Sequence, residues 1–222
     1  MNHRFAIFLL GLCTALLGAR AALASAEIYE YRIVHATRGE IGRYANIVDR
    51  RGNETLVRSE LHIAITVLGI TAYRQDADRV ERWHGERLTW FDGTTITNGE
   101  KLQVHGEAQG TGFAVTTPSG TIMAPANIHP SNPWSAMVLK TDTLMSTRTG
   151  KILRGVTRGG ERKPTWLDGK SMTLRQYEII SDKHEFVWLD DQGVPVAFRT
   201  QEDGDDIDFI LERRGPLVAN SG

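Results

Sequence analysis

Closely spaced turn sequences constrain the fold of this chain more than any other feature. The dipeptides Asp92-Gly93, Asn98-Gly99 and Asp168-Gly169 are of the kind that supplies the positive φ angles of tight hairpin turns. The segments between such turns are rich in Val, Ile, Thr, Tyr and Trp, the residue types that favour strands. Regular turns between short β-prone segments predict a mainly β protein, built as a large antiparallel meander.

Alternating side chains indicate that the predicted sheet has one covered face. In residues 28–36 and 61–67, large apolar or aromatic side chains recur at every second position. The predicted covered-face residues are Tyr29, Tyr31, Ile33, His35, Leu61, Ile63, Ile65 and Val67. A period of two is typical of a sheet that is packed on one side.

A hairpin is predicted over residues 80–91. A two-residue loop at Gly85-Glu86 pairs Trp83 with Leu88. This register places Trp83, Leu88 and Trp90 on one face and the intervening polar residues on the other. A slip of one residue would exchange the two faces.

Residues 131–139 interrupt this pattern and predict a short helix. Ser131 or Asn132 can cap the helix, and Pro133 is tolerated at the first helical position. The apolar residues at roughly helical spacing are Trp134, Met137, Val138 and Leu144. Because so short a helix is unstable alone in water, it must pack on an apolar surface. We therefore expect a curved antiparallel sheet with this helix across its concave face and Trp134 as the anchor.

The N-terminal segment predicts export. Residues 1–4 carry positive charge, and residues 5–17 are apolar but too few to span a bilayer. Ala24-Ser25-Ala26 is a small-residue site of the kind that signal peptidase cleaves. We expect a cleaved signal peptide over residues 1–26 and a mature chain that starts at Glu27.

Other interpretations of the N-terminal segment are a retained anchor and lipid modification of Cys13. The second is disfavoured because Leu12 occupies a position where lipid modification requires a small residue. Cys13 is the only cysteine, so the mature chain would contain no disulfide. The predicted organisation is a single domain over residues 27–214, followed by a polar tail over residues 215–222.

Charge and composition exclude several classes of partner. The formal net charge is −1, and it becomes −3 when Arg4 and Arg20 are lost with the signal. A mildly acidic chain without a basic stripe is not expected to bind nucleic acid. No later segment approaches the roughly 18 apolar residues of a transmembrane helix. The histidines are scattered and no phosphate-binding glycine loop is present, so we expect no metal and no cofactor.

Four segments carry a resemblance to a known family. They are "YRIVHATRGEIG" at 31–42, "RWHGERLTWFDGTT" at 82–95 followed by "NG" at 98–99, the stretch from His129 through "LKTDTLMSTRTGKIL" at 139–153, and "YEIISDKHEFVWLDDQGVPVAFRTQEDGDDIDFILER" at 177–213. Together they resemble a family of secreted proteobacterial proteins of unknown function, over about residues 28–212. That family is similar in turn to half-barrel proteins of the lipoprotein-carrier type.

The resemblance implies a periplasmic protein with an antiparallel half-barrel closed by a short helix. Other half-barrel proteins of this kind hold acyl chains or other apolar molecules in the concavity. A small biosynthetic enzyme has a related scaffold, so the fold does not decide between binding and catalysis. The two prolines of "HPSNPW" at 129–134 depart from the family pattern and imply a displaced or shortened helix.

Aromatic side chains are the candidates for a ligand site on the concave face. The residues expected to contact the ligand are Tyr29, Tyr31, Trp83, Trp90, His129, Trp134, Met137 and Trp188. Their alternative role is to fill the core, and for His129 the alternative is capping or loop packing. In a half-barrel the two roles overlap, because ligand sites are themselves mostly apolar.

The leading interpretation is a periplasmic binding or carrier protein for an apolar or amphipathic ligand, with lipids among the candidates. The first alternative is a small enzyme that acts on a hydrophobic substrate in the same cavity. The second is an envelope assembly factor that binds another protein along a sheet edge. No catalytic residue is assigned, because the sequence has no G-x-S-x-G motif and no cysteine after the signal.

Overall fold

The structure is a computed structural model that describes residues 26–202 and 204–217. These ranges contain sixteen strands and one 3₁₀ helix. The strands are β1 (Glu27–His35), β2 (Gly39–Arg51), β3 (Glu54–Val67), β4 (Ile70–His84), β5 (Arg87–Thr97), β6 (Glu100–Gln109), β7 (Gly112–Thr117), β8 (Gly120–Pro125), β9 (His129–Pro130), β10 (Thr143–Met145), β11 (Ile152–Arg154), β12 (Val156–Leu167), β13 (Lys170–Ile180), β14 (His184–Leu189), β15 (Pro195–Glu202) and β16 (Asp205–Pro216). The 3₁₀ helix covers Ala136–Lys140, between β9 and β10.

Thirteen of the strands form one curved antiparallel sheet, which confirms the predicted mainly β architecture. Their order is β12-β13-β14-β15-β16-β1-β2-β3-β4-β5-β6-β7-β8. Within the described residues the outer strands β12 and β8 are not paired with each other, so the sheet does not close into a barrel. Strands β9, β10 and β11 form a separate small sheet, in which β9 and β10 run parallel.

The first and last strands meet in the interior of the large sheet. β1 pairs with β16 along one side and with β2 along the other. Beyond their ends, the backbone N–H of Leu217 donates to the carbonyl oxygen of Ala26 at 2.7 Å. The sheet therefore consists of two meanders, β1–β8 and β12–β16, joined where β1 pairs with β16.

The predicted covered faces of β1 and β3 are confirmed over most of their length. In β1 every residue of the predicted face is buried. In β3, Ile63 is buried, and Leu61 and Ile65 pack against the same core. Val67 departs from the prediction with 43% exposure, because it lies at the tip of the β3–β4 hairpin, beyond the covered part of the sheet.

The β4–β5 hairpin confirms one prediction and overturns another. Trp83 pairs with Leu88 across the predicted two-residue turn, and both side chains are buried. A β-bulge then sets Trp90 opposite Arg82, whose guanidinium carbon lies 4.8 Å from the Trp90 ring centroid. The prediction that Trp90 shares the face of Trp83 is wrong, because Thr89 is an extra residue that reverses the alternation.

The dipeptide Asp92-Gly93 does not form the predicted turn but lies in the middle of β5. Gly93 is opposite Arg79 of β4. A Cβ atom at Gly93 would lie 3.0 Å from the ring of Phe91 and 3.5 Å from Cγ of Arg79. Glycine is needed here because two large side chains occupy the space that its own side chain would take.

Residues 126–155, which we call the crossing segment, run over the concave face from one meander to the other. The crossing segment contacts the β1–β8 meander at Gly150, which has a φ of 72°. A Cβ atom at Gly150 would lie 2.5 Å from Cγ2 of Thr117 in β7. The crossing segment contacts the β12–β16 meander at Val138, which packs in the same apolar cluster as Ile179 of β13. The crossing segment thus covers the face that the predicted helix was expected to cover.

The predicted helix over residues 131–139 is wrong. The backbone N–H of Asn132 donates to the carbonyl of Pro130 at 2.7 Å, which is a tight turn and not a helical bond. Pro130 and Pro133 lack a backbone donor and push the residues before them out of the helical conformation. Only Ala136–Lys140 is helical, as a 3₁₀ turn capped by the side chain of Ser135.

The core is divided into two apolar clusters. The larger cluster lies under strands β1–β7 and includes Trp83, Phe91 and Phe113, all 0% exposed. The smaller cluster joins Val138 and Leu144 of the crossing segment to strands β13 and β14. Phe198 of β15 packs against both clusters, which therefore meet near the middle of the sheet.

Some sequence predictions fall outside the described residues. Residues 1–25 of the predicted signal peptide, with Cys13, lie there, as does most of the predicted polar tail. β16 continues to Pro216, two residues past the predicted end of the domain at 214.

Candidate functional site

A cavity of about 140 Å³ lies between the sheet and the crossing segment, where the two apolar clusters meet. The apolar and aromatic residues that line it from the sheet, in order from β13 to β3, are Ile179, Phe186, Val187, Phe198, Phe209, Tyr44 and Leu61. The crossing segment lines the other side with Val138 and Leu144, among others. One end is polar, and its walls are formed by Tyr44, Arg79 and Asn132.

Strand register explains why charged groups reach this covered face. Opposite one another across β2–β5 lie Asn46, Ser59, Arg79 and Gly93. The next inward row consists of Val48, Val57, Glu81 and Phe91. Because side chains alternate along a strand, Arg79 and Glu81 point to the same covered side.

Glu81 is fully buried and ties the crossing segment to the sheet. Its carboxylate accepts hydrogen bonds from Nε1 of Trp83 and Nε1 of Trp134, both at 2.9 Å. Nδ2 of Asn132 donates a third hydrogen bond at 3.0 Å. Two of the three donors belong to the crossing segment, so this one carboxyl group fixes the segment against β4.

Burial raises the pKa of Glu81 to about 7, against the opposing effects of its three hydrogen bonds and of the Arg79 charge. The two indole N–H groups can only donate, so they match the ionised carboxylate and not the protonated acid. Desolvation nevertheless outweighs them. The group therefore changes charge near neutral pH while it holds the crossing segment in place.

Asn132 connects Glu81 to the wall of the cavity. Its Nδ2 also donates to Oγ of Ser59 at 2.9 Å, and Ser59 in turn donates to Oδ1 of Asn46 at 2.7 Å. The hydroxyl of Tyr44 donates to Oδ1 of Asn46 at 2.8 Å and also contacts Oδ1 of Asn132. Burial raises the pKa of Tyr44 to about 12, so this hydroxyl stays protonated.

Arg79 is buried without a partner. The residue is only 7% exposed, and Nε of its guanidinium has no hydrogen-bond acceptor. No carboxylate in residues 26–202 and 204–217 forms an ion pair with the guanidinium. Burial lowers the pKa of Arg79, an effect that the nearby Tyr44 and Glu81 oppose. Arginine nevertheless remains protonated in proteins, so a positive charge faces the cavity.

The opposite end of the cavity is partly exposed and its charges are differently placed. Glu185, Arg199 and Thr200 line this end, and each is only partly buried. Arg199 donates two hydrogen bonds to Asp208, at 2.6 and 2.8 Å, and forms an ion pair with Asp206 at 2.9 Å. Burial raises the pKa of Glu185. This end of the cavity is therefore more exposed to solvent than the end formed by Tyr44, Arg79 and Asn132.

His129 lies on the other side of the Glu81 network. Its ring centroid is 4.5 Å from that of Trp83, and the residue is 8% exposed. Burial lowers the pKa of His129 to about 4, against the attraction of Glu86. The ring is therefore neutral at physiological pH and packs as an aromatic group.

None of the eight predicted ligand-binding residues lines the cavity. Trp83, His129 and Trp134 pack together, with 5.9 Å between the two indole centroids. Tyr31 lies directly behind the wall, because its ring centroid is 5.7 Å from that of Tyr44, which does line the cavity.

The remaining predicted residues lie farther from one another. Tyr29 is buried and donates from its hydroxyl to Glu27. Met137 packs against the larger apolar cluster. Trp188 stacks on Phe186 near the partly exposed end, and Trp90 lies on the outer face of the sheet. Their predicted role in ligand binding stays a prediction.

The polar end of the cavity was not predicted from the sequence, although the sequence pattern indicated one of its residues, Arg79, and the neighbouring Glu81. The register predicted for Trp83 puts Glu81 and Arg79, two and four residues earlier, on the same covered face. Charged residues at covered positions of a strand are rare unless they are paired, and they mark a special site. Asn132 carried no such signal, because it lay in the segment predicted as a helix cap.

These observations define a mainly β protein with an open, curved antiparallel sheet that encloses a small cavity under a crossing segment. The chain belongs to the family described as Domain of unknown function (DUF6134), whose model matches residues 31–212. No curated protein matches the chain. Secretion and a likeness to lipoprotein carriers stay predictions.

The solved structures that match this chain include two proteins of uncharacterised domain families. One is the crystal structure of a beta-barrel-like protein of Domain of Unknown Function DUF1849 from Brucella abortus, with a TM-score of 0.65 and 8% sequence identity. The match covers 88% of this chain and 99% of that one, and it concerns the fold alone. The other is a DUF1089 family protein from Pseudomonas aeruginosa, with a TM-score of 0.31, 12% identity and coverage of 72% and 85%.

Neither a membrane-spanning helix nor a cluster of metal ligands is found in the described part of the chain. No helix there is both long and apolar enough to cross a membrane. No group of three or more His, Cys, Asp or Glu side chains among those residues is arranged to hold a metal ion.

Proposed function

We propose that this protein binds a small apolar or amphipathic molecule in the cavity between the sheet and the crossing segment, as a binding or carrier protein. One observation carries the proposal: a space of about 140 Å³ is left open where two well-packed apolar clusters meet. Protein interiors are close-packed, and spaces of this size are few and costly. A ligand that fills it recovers the missing contacts.

The size of the cavity sets the size of what it can enclose. An apolar cavity of about 150 Å³ accommodates benzene in a well-studied case, so this one suits about six to eight non-hydrogen atoms. A longer molecule, such as a lipid, would bury one end here and extend past Glu185 and Thr200, where the lining is partly exposed. The apolar wall and the polar end together favour an amphipathic ligand.

We also propose that the protein acts outside the cytoplasm, in the periplasm. This part rests on the charged, apolar and small-residue pattern of residues 1–26. The expected mature N-terminus is Glu27, which N-terminal sequencing of the protein from a periplasmic extract tests. An intact N-terminus, or lipid on Cys13, would contradict the proposal.

The binding proposal is tested with linear alcohols of increasing length and with a variant that fills the cavity. Butan-1-ol, hexan-1-ol and octan-1-ol are titrated while the melting temperature and the heat of binding are recorded. Val187→Phe places a larger side chain in the cavity wall, whereas Val156→Phe, on an exposed position of β12, is the matched control. Native mass spectrometry of protein purified from its own periplasm complements the titration by detecting a retained ligand.

We expect hexan-1-ol to raise the melting temperature of the wild-type protein and of Val156→Phe, because a ligand that binds only the folded state stabilises it. Val187→Phe should lose this response and remain folded. If hexan-1-ol binds Val187→Phe as it binds the wild type, the ligand lies elsewhere. If no alcohol binds and no molecule is retained, the cavity is not a site of this kind.

The alternative of a small enzyme is favoured by one feature, the Glu81 carboxyl. A pKa of about 7 suits a group that accepts or releases a proton at physiological pH. Its oxygens are occupied by Trp83, Trp134 and Asn132, however, so a substrate in the cavity would reach it only by displacing Asn132. We therefore rank this function second. Turnover of a cavity ligand that is lost in Glu81→Gln would reverse the ranking.

A further inference from the structure

Arg79 determines the charge at the buried end of the cavity. Its guanidinium lines the cavity, and its Nε has no acceptor. The other charged residues that line the cavity are at the partly exposed end, where Arg199 is balanced by Asp206 and Asp208 and where Glu185 lies. Among the residues that line the cavity, no carboxylate therefore opposes the positive charge of Arg79 at the buried end, and the nearby Glu81 attracts it but has its oxygens hydrogen-bonded elsewhere.

Two further polar groups near Arg79 lack hydrogen-bond partners. They are Nδ2 of Asn46 and Oγ1 of Thr95, and with Nε of Arg79 they are the three buried side-chain atoms left unpaired in residues 26–202 and 204–217. Asn46 lies in the same cross-strand row as Arg79, and Thr95 follows two positions after Gly93, the β5 member of that row. Of these three residues only Arg79 lines the cavity. Buried polar groups are normally paired, so its unpaired Nε indicates that an acceptor is missing there.

We propose that the buried end of the cavity binds an oxyanion, the carboxylate, sulfonate or phosphate end of an amphipathic ligand, through the Arg79 guanidinium. The inference rests on the proposed function, because it assigns the polar end of the molecule that the cavity binds. A guanidinium presents parallel N–H donors that match two oxygens of one anion. The surrounding low dielectric strengthens such a bond and makes the unpaired state costly.

The apolar wall fixes the orientation of this ligand. Phe198, Phe209 and Val187 lie along the cavity between the Arg79 end and the partly exposed end. An alkyl chain attached to the oxyanion would pack on them and point outward. Glu185 is at the outer end, so its carboxylate does not compete for the guanidinium.

The test compares ligands that share a six-carbon chain and differ only in the head group. Hexanoate, hexane-1-sulfonate, hexyl phosphate and uncharged hexan-1-ol are titrated calorimetrically into the wild-type protein, Arg79→Met, Arg79→Lys and Arg82→Met. Arg82→Met is the matched control, because Arg82 is on the same strand but on the outer face of the sheet. Inorganic phosphate and sulfate alone show whether the head group binds without a chain.

We expect at least one anion to bind the wild-type protein about tenfold to a hundredfold more tightly than hexan-1-ol, as charged hydrogen bonds of this type imply. Arg79→Met should lose this preference and keep its affinity for hexan-1-ol. Arg79→Lys should retain part of the preference, and Arg82→Met all of it. The anion that binds best identifies the head-group class.

Two results would overturn the oxyanion site and leave the proposed function standing. One is equal affinity of hexan-1-ol and every anion for the wild-type protein. The other is undiminished anion binding by Arg79→Met. If Arg79→Met does not fold, the decision falls on Arg79→Lys, in which an unchanged preference for anions overturns the site. If no compound binds at all, the alcohol included, the proposed function fails together with the head-group assignment.

Discussion

Glu81 and Arg79 lie two residues apart on the same strand and the same face, and both are buried, yet their surroundings differ completely. Around Glu81 every oxygen is occupied, by two indole N–H groups and one amide. Around Arg79 there is a cavity, and Nε has no partner. We call the surroundings of Glu81, whose oxygens are both hydrogen-bonded, the filled region, and those of Arg79, where a cavity is left, the unfilled region.

This difference separates a structural role from a binding role. A buried charge whose hydrogen bonds are all made within the chain holds two parts of the chain together. A buried charge without partners lowers stability until something else supplies them, because the desolvation cost is not offset. The Glu81 region thus anchors the crossing segment, and the Arg79 region is where we propose that a ligand binds.

The largest expected effect comes from breaking the filled region at Trp134. Trp134→Ala removes a 5% exposed indole and one of the three hydrogen bonds to Glu81. We expect the free energy of unfolding to fall by about 3–5 kcal/mol, measured by urea denaturation. Since a domain has about 5–15 kcal/mol in all, the variant should still fold.

Trp134→Phe is the matched control for that loss. It keeps most of the apolar area and removes only the N–H donor to Glu81, so a loss of about 1.5–3 kcal/mol is expected. If both variants unfold at the wild-type urea concentration, the crossing segment is not anchored at Glu81.

A smaller effect is expected from pH, through Glu81 and His129. The pKa of Glu81 is about 7 in the folded protein and 4.5 when exposed. As pH rises between these values, the folded state keeps a proton that the unfolded state releases. The free energy of unfolding therefore falls. The pKa of His129 is about 4 when folded and 6.5 when exposed, so as pH falls in that range the unfolded state gains a proton and stability is lost. Between pH 4.5 and 6.5 the two contributions oppose each other.

Single variants should reveal the opposing slopes. Glu81→Gln leaves only the His129 contribution. Its free energy of unfolding should therefore rise by about 1 kcal/mol per pH unit, more steeply than that of the wild type. His129→Phe, which keeps an aromatic ring against Trp83, should show a slope of similar size and opposite direction. Urea denaturation across this pH range measures both, and parallel profiles for all three proteins would show that neither group is perturbed.

The unfilled region should respond to substitution in the opposite direction. Arg79→Met removes an unpaired buried charge, so we expect the ligand-free protein to gain about 1–2 kcal/mol of stability. Urea denaturation at pH 6 is the suitable measurement, because Glu81 is then largely protonated and its attraction to Arg79 matters little. A loss of stability as large as that of Trp134→Ala would mean that Arg79 has a structural role like that of Glu81.

The smallest expected effect belongs to Trp90, which the bulge at Thr89 places outside both regions. Trp90→Ala loses the contact with the Arg82 guanidinium, worth about 0.5–1 kcal/mol at an exposed site. Thermal or urea denaturation should therefore change little. A loss of several kcal/mol would place Trp90 in the core and contradict the bulge.

The part of the fold set by local alternation was predictable from the sequence. The covered face of β1 and the pairing of Trp83 with Leu88 follow from a period of two and a two-residue turn. The error at Trp90 arose because one extra residue reverses the alternation without any sequence signal. The error over residues 131–139 arose because helical spacing was given more weight than the restrictions imposed by Pro130 and Pro133.

The candidate site was less accessible, because it depends on contacts between distant parts of the chain. The inward positions of Glu81 and Arg79 could have been obtained by counting back from Trp83. The different surroundings of the two side chains could not be obtained in this way. They depend on Trp134 and Asn132, some fifty residues later in the sequence, which donate hydrogen bonds to the Glu81 carboxylate and leave Nε of the Arg79 guanidinium unpaired.

The meeting of the two chain ends has a consequence for the order of folding. β1 must wait for β16 before its second edge is paired, and Glu30 and Arg213, which join the two strands by an ion pair, are 183 residues apart. A short linker from Leu217 to Glu27, with new termini at the Gly110 turn between β6 and β7, would make β16 and β1 a hairpin of neighbours. Such a circular permutant keeps every strand pairing and the cavity, but β6 and β7, which pair with each other, then lie at opposite ends of the chain. Because closing a longer loop costs more entropy, β1 and β16 should pair earlier in folding than in the natural order, and β6 and β7 later.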